Sequence, residues 1–483
     1  MTKLLKKESD VFYIISFPDE SVQKGEYLLI KDESSITVIV QVIDVQFANV
    51  PGMLEDILRE GLTEGDVQGE DYDPLNIHSQ IDVLKDANLL ICKIRGSMEA
   101  DKLRLGVSRL PSRTSSKILP ASIQNIARLN GGNRPVVIGR IDQESSLVID
   151  AKSLDGRLNI IMGRKGTGKS HLTKLLVSSL VEYKAPCIVL DVNGEYVNLS
   201  TRKQDQTTEH QSRINVIAPG RNFKLSLRGI GLRATLDMLV HALDLPGTSS
   251  RVFSRIWHTL EKDGKVSLEG LVEAAARTAC NEAVKDAIIA RCNMLLDSGI
   301  FSDKPEETVD YGDFISEIKD GGAIVLNMKD LSATTRRMMV ELTLGKLVDL
   351  LSSWKLRGAF LFAEEAHLYL RETYWDDIVT RMRHLGLFTT FVTNQPDTIR
   401  DGIYRQADNI FLFNFINDHD LEAIARASRI DSESVRQIAK ELPAQRCLVI
   451  GDVVKNLPIV VDVRSLDFQA MGETRYYFQD SKV

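Results

Sequence analysis

Leu158-Asn159-Ile160-Ile161-Met162-Gly163-Arg164-Lys165-Gly166-Thr167-Gly168-Lys169-Ser170 is the stretch on which the fold turns. Its apolar head reads as a buried strand, its glycine-dotted middle as a tight loop, and Ser170 to Tyr183 as a helix. The loop fits the pattern G-x-x-x-x-G-K-[ST] in the strand-to-helix context that the pattern needs. Glycines there let backbone N–H groups curl around phosphates, and the helix N-terminus adds a favourable dipole. The expected phosphate contacts are therefore Gly163, Arg164, Lys165, Gly166, Thr167, Gly168, Lys169 and Ser170. Lys169 is expected to reach the β- and γ-phosphates and Ser170 to bind Mg²⁺, which makes ATP and Mg²⁺ the expected cofactors.

A hydrolysis site needs acids beside that loop. Ala359-Phe360-Leu361-Phe362-Ala363-Glu364-Glu365 is an apolar strand ending in two carboxylates. Glu364 is expected to hold the metal and Glu365 to polarise the attacking water as general base. After the next apolar strand comes Thr393-Asn394-Gln395-Pro396, where Gln395 or Asn394 could sense the γ-phosphate; a proline-bearing turn without a role is the alternative. Arg381 and Arg383 lie on a helix leading into that strand, expected at the same sheet edge as Glu365. Either could reach a neighbouring subunit's γ-phosphate; a solvated basic helix face explains them equally well.

Further apolar runs at 187–190, 323–326, 359–362, 389–392 and 410–413 have the character of strands buried on both faces of a parallel sheet. The expected class is thus α/β. Residues 1–110 read differently, as short alternating strands (11–15, 27–30, 36–42, 89–94), and point to a small β-barrel. Between them, Gly52 to Asp82 is acidic and glycine-dotted, expected as a short helix and a loop. Residues 111–134 look like a connector, 135–227 and 319–465 like two parts of one α/β core, 228–318 like an inserted four-helix bundle, and 466–483 like a tail.

The chain has 483 residues and a net charge of −7, which argues against coating nucleic acid by bulk charge but leaves room for a locally basic surface. Cys92, Cys187, Cys280, Cys292 and Cys447 are scattered without metal-ligand spacing, as expected of core residues in a reducing compartment. No apolar run reaches about 18 residues, and the basic start lacks an apolar secretory core. A cytoplasmic protein with no membrane span is the expectation.

Two further segments carry a family resemblance. Asp191-Val192-Asn193-Gly194-Glu195-Tyr196 resembles the Asp-x-x-Gly-Glu-Tyr motif of HerA-type ATPases, and Glu364-Glu365-Ala366-His367 is similar to their acidic strand end. Arg383-His384-Leu385-Gly386 looks like their Arg-Lys-x-Gly segment, and Thr393-Asn394-Gln395-Pro396 like their Thr-Gln-x-Pro, here with Asn394 intervening. The loop also departs from theirs, with Arg164 and Lys165 where small residues are usual. The resemblance implies an N-terminal β-barrel, a RecA-like P-loop core with an inserted helical bundle, and a homo-hexameric ring that moves duplex DNA. It further implies a partner nuclease or a sirtuin-like effector, in DNA end processing or anti-phage defence. Two other readings stand beside the translocase: an ATP-binding ring that assembles and activates an effector with little movement, and a conjugation or secretion ATPase. A translocase needs basic pore loops, for which residues 200–203 and 221–224 are candidates.

Overall fold

The computed structural model describes residues 2–17, 22–32, 37–48, 87–99, 102–104, 107, 109–123, 131–142, 145–199, 211–369, 377–427 and 432–466. The acidic stretch from Gly52 to Asp82, the basic loop 200–203 and the tail beyond 466 lie outside the described residues.

Runs of β-branched and other apolar residues build the first sheet. Its strands are Lys3–Glu8 (β1), Val11–Ser16 (β2), Tyr27–Lys31 (β3), Thr37–Phe47 (β4), Asn88–Glu99 (β5), Lys102–Arg104 (β6) and Lys117–Pro120 (β7). They pair antiparallel in the order β1-β2-β5-β4-β3-β7, with β6 on β5. Register shifts at Ile39/Val40 and Val42/Asp44 curl the long β4 against β5 around Phe12, Ile14, Ile30, Val38 and Val40. The expected barrel is an open half-barrel with β1 and β7 as its edges. The expected connector 111–134 is corrected in part: Lys117–Pro120 pairs with β3 and belongs to this sheet. Proline, serine and lysine around it hide a four-residue edge strand.

The second sheet comprises Pro135–Arg140 (β8), Ser146–Asp150 (β9), Asn159–Met162 (β10), Pro186–Asp191 (β11), Ile214–Ile217 (β12) and Gly322–Asn327 (β13). Ala359–Glu364 (β14), Leu387–Thr393 (β15), Asn409–Leu412 (β16), Arg446–Gly451 (β17) and Ile459–Val463 (β18) complete it. Its order is β12-β13-β11-β14-β15-β10-β16-β17-β18-β8-β9. β12 through β16 are parallel, while β17, β18, β8 and β9 extend the sheet antiparallel. Both faces of the parallel part are buried: Ile160, Ile188 and Leu190 enter one core, Ile161, Cys187 and Val189 the other.

Lys169–Glu182 (α1) packs Leu172, Leu176 and Leu180 into the second of these cores. Between β12 and β13 come Leu227–His241 (α2), Gly247–Lys262 (α3), Leu268–Arg277 (α4), Glu282–Asp297 (α5) and the short Tyr311–Ser316 (α6). Ser226, Ser267, Asn281 and Asp310 accept the N–H groups of Gly229, Gly270, Ala283 and Asp313, so four of these five helices start on side-chain caps. Ala333–Ser352 (α7) precedes β14, and Asp418–Ala427 (α8) and Ser432–Ala439 (α9) precede β17. The half-barrel sits on the C-terminal part of the core. Tyr27 Oη and Gln41 Nε2 both donate to the Pro458 carbonyl at 2.8 Å, and Arg95 donates to Gln41 Oε1 at 2.9 Å and to Ser434 Oγ on α9 at 2.8 Å. No helix among the described residues is long and apolar enough to cross a membrane.

Candidate nucleotide-hydrolysis site

β10 lies in the sheet between β15 and β16, so the loop after it opens at the carboxyl ends of the parallel strands. That edge is where ligands of open α/β sheets bind. The Gly163 N–H donates to the Thr393 carbonyl at 3.3 Å and the Arg164 N–H to the Asn414 carbonyl at 3.1 Å, tying the loop to both neighbouring strand ends. Gly168 has φ +119°, and a Cβ there would stand 3.0 Å from the Phe413 ring and 3.2 Å from Gln445 Cα. A Cβ on Gly163 would come within 2.5 Å of Phe413 Cβ. These two glycines are therefore demanded by the close approach of β16.

Lys169 is buried, and its Nζ donates to the Arg164 carbonyl at 3.0 Å, curling back over the loop. Burial pulls its ammonium down, against the upward pull of Glu365, Glu364 and Glu195. Ser170 Oγ donates to Glu364 Oε1 at 3.4 Å. Glu364 is 3% exposed, and its other oxygen, Oε2, is buried without a partner. Desolvation first, then the charges of Asp191, Glu195 and Glu365, drive its carboxyl well above the ordinary range. A buried carboxylate with one oxygen on a serine hydroxyl and the other lacking a donor fits a hydrated divalent cation.

Glu365 leaves the strand in the left-handed region, φ +46° and ψ 47°, with its N–H on the Val392 carbonyl at 2.7 Å. Backbone strain of this kind collects at functional sites. Its Oε2 accepts the Asn394 N–H at 3.4 Å and lies 3.6 Å from His367 Nδ1. Burial raises its carboxyl, opposed chiefly by Lys169. The structure thus brings Gly163–Ser170, Glu364, Glu365 and the backbone of Asn394 to one edge. Gln395 stands at the same edge with an exposed side chain, and its N–H is held by Thr393 Oγ1 at 3.0 Å.

Arg381 and Arg383 do not join them, which corrects the expectation of a shared edge with Glu365. β14 and β15 are parallel, with Ala359 beside Leu387 and Glu364 beside Val392. Arg383 precedes β15 and Glu365 follows β14, so the two lie at opposite ends, about 20 Å apart at ~3.3 Å per residue. Arg383 is engaged within the chain: Nε donates to the Gly156 carbonyl at 2.8 Å and the guanidinium pairs with Asp408 at 3.0 Å. Arg381 is exposed on a π-helical turn, Ile378–Met382.

One part of the site carried no assigned role in the sequence. Asp191 ends β11 fully buried; its Oδ1 accepts the Gly194 and Glu195 N–H groups at 2.8 and 3.0 Å, and its Oδ2 that of Tyr196 at 3.0 Å. Lys174, one turn beyond Ser170, is buried with its Nζ 5.6 Å from the Tyr196 ring centroid. A lysine on the apolar side of α1 was the available signal.

A family model described as the helicase HerA central domain matches residues 136–347. The DNA double-strand break repair helicase HerA of Sulfolobus acidocaldarius is 23% identical over 79% of this chain and 78% of its own length. Its namesake from Sulfurisphaera tokodaii is 21% identical over 94% of this chain and 91% of its own. A probable helicase of Methanocaldococcus jannaschii is 22% identical over 94% and 88%. Among solved structures, the bacterial conjugative coupling protein TrwB has a TM-score of 0.52 at 12% identity, covering 71% of this chain and 92% of that one. VirB4 of Thermoanaerobacter pseudethanolicus has 0.50 at 13%, covering 69% and 97%. These two likenesses speak to the RecA-like fold alone. Family match, relatives and the motif order along one sheet edge converge: the chain is a P-loop ATPase similar to the HerA helicases.

Proposed function

We propose that this ATPase is a motor that couples ATP hydrolysis to movement along duplex DNA, working as a homo-hexameric ring. The observation that carries the chemistry is the pair formed by Ser170 and Glu364, with Glu364 Oε2 buried and unpartnered. Lys169 and the loop N–H groups hold the β- and γ-phosphates. Ser170 and Glu364 would hold Mg²⁺, which supplies charge neutralisation at the phosphate oxygens. Glu365 accepts the proton of the attacking water, and its raised carboxyl makes it a stronger base than an ordinary glutamate. Gln395 and the Asn394 backbone, next to Glu365, report the state of the γ-phosphate to the rest of the ring.

The names of the relatives support DNA as the track and helicase work as the output. Charge building on the γ-phosphate needs a further cation, and an arginine far from its own site serves a neighbour's. Arg381, exposed, is the readier donor; Arg383 must first leave Asp408. The resemblance of the motifs supports a partner nuclease or sirtuin-like effector seated on the half-barrel, in a cytoplasmic complex. We place the functional units at 1–110 with β7 added, at 135–227 with 319–465, and at 228–318.

Steady-state ATP turnover with and without linear duplex, at low and high salt, tests the motor. Duplex should raise turnover, and the gain should shrink as salt rises, because phosphate contacts release counterions. Turnover indifferent to duplex at every salt concentration would reject it.

A further inference from the structure

The turn Asp191–Tyr196 is built around a buried carboxylate that accepts three backbone N–H groups. Both Asp191 oxygens take part, and the residue ends β11 right beside Glu364, one step beyond the paired Leu190 and Ala363. Gly194 takes φ +73° at the bend, where a Cβ would press to 2.9 Å on Lys329 Cδ. Such a turn fixes the direction in which the next side chain leaves. Tyr196, fully buried against Lys174, anchors the far end. Glu195 sits between these two fixed points and is half-buried. Its N–H sits on Asp191 Oδ1 at 3.0 Å, beside the end of β14, and its charge pushes Lys169, Lys174, Asp191 and Glu364 toward holding their protons. Among the described residues no hydrogen bond or ion pair uses its carboxylate.

We propose that Glu195 is the second acid of the divalent-cation site, sharing with Glu364 the task of holding the hydrated cation on the nucleotide. The inference rests on the reading of Ser170 and Glu364 as the cation's residues and adds a group from a different strand end. The feature that points to a ligand there is the orphaned, buried Glu364 Oε2, and the turn held by Asp191 brings Glu195 to the neighbouring strand end. Hydrated Mg²⁺ is held through one or two carboxylates and several waters, so an acid that reaches the water shell has a defined task. The alternative, that Glu195 only neutralises Lys174, predicts no effect on cation binding.

Mn²⁺ titration of the full-length protein with ADP, followed by the electron paramagnetic resonance of free Mn²⁺, separates the two. Glu195→Gln should weaken Mn²⁺ binding about 10- to 100-fold, the usual effect of losing an outer carboxylate. ADP affinity measured in EDTA should be unchanged, and Glu195→Asp should recover part of the loss. Glu195→Gln titrating like the wild type, while Glu364→Gln loses Mn²⁺, would overturn the role of Glu195 and leave the reading of Glu364 standing. Wild-type titration by Glu364→Gln as well would instead overturn the reading on which it rests.

Discussion

Glu364 and Glu365 are adjacent in the chain, yet the backbone treats them differently. Glu364 completes a strand and is turned into the interior with Ser170, whereas Glu365 is bent into the left-handed region and stands in reach of the Asn394 N–H and His367. The division of labour follows from that bend. Glu365→Gln should bind ATP and slow its turnover by about 10²–10⁴-fold, the typical effect of removing one positioned base. Binding with full turnover would exclude Glu365 as base. Turnover by the wild type should also decline on the acid side at a pH above the ordinary carboxylate range, because the raised Glu365 carboxyl must lose its proton to act. Glu364 makes a second, opposite demand. Its folded carboxyl is raised above the unfolded value, so its contribution to stability is full below about pH 4.3 and is lost as pH rises through the folded value. In EDTA at pH 8, Glu364→Gln should therefore melt at a higher temperature than the wild type, with the gap closing toward pH 4. An equal or lower melting temperature at pH 8 would refute the burial of charge at this position.

At the scale of elements, periodicity was a sound guide where burial is complete on both faces. The apolar runs at 187–190 and 359–362 are continuous because β11 and β14 have helices on either side, and β10, β13, β15 and β16 were legible for the same reason. Legibility failed at edges. β7 and β12 have four residues each, and β1 surrounds Leu4 and Leu5 with Lys3, Lys6, Lys7 and Glu8, since one side of an edge strand meets water. The direction of Arg381 and Arg383 was not legible either. Sequence order places them just before β15, but only the parallel register with β14 reveals that this is the end away from Glu365. The phosphate loop, by contrast, was readable residue by residue, because its glycines answer a local need; Lys174 and Glu195 were not assigned, since their meaning arises from the packing of α1 against the turn after β11. The two arginines now separate in their expected behaviour. Arg383→Ala removes contacts to Asp408 and the Gly156 carbonyl and should lower stability by about 1–3 kcal/mol, whereas Arg381→Ala, exposed, should leave the melting temperature near that of the wild type. Equal losses in a thermal melt would contradict this division.

For the whole molecule, both arginines are remote from their own phosphate loop, and in the proposed ring one of them would complete a neighbour's site. Subunits carrying Arg381→Ala, mixed with subunits carrying Glu365→Gln, should recover part of the ATPase that neither has alone, at interfaces joining an intact arginine to an intact base. No recovery with either arginine would mean that the site is complete within one chain. The half-barrel is held to the C-terminal part of the core through Pro458 and Ser434. The account stands or falls on movement itself. A third strand annealed to a linear duplex is stripped only by a protein that travels along the duplex, so triplex displacement is the most direct measurement. The wild type should displace the strand with ATP and not with a non-hydrolysable analogue, and Lys169→Ala and Glu365→Gln should not displace it at all. Full ATP turnover by the wild type on the same duplex with the third strand left in place would contradict the motor and leave an ATP-driven scaffold.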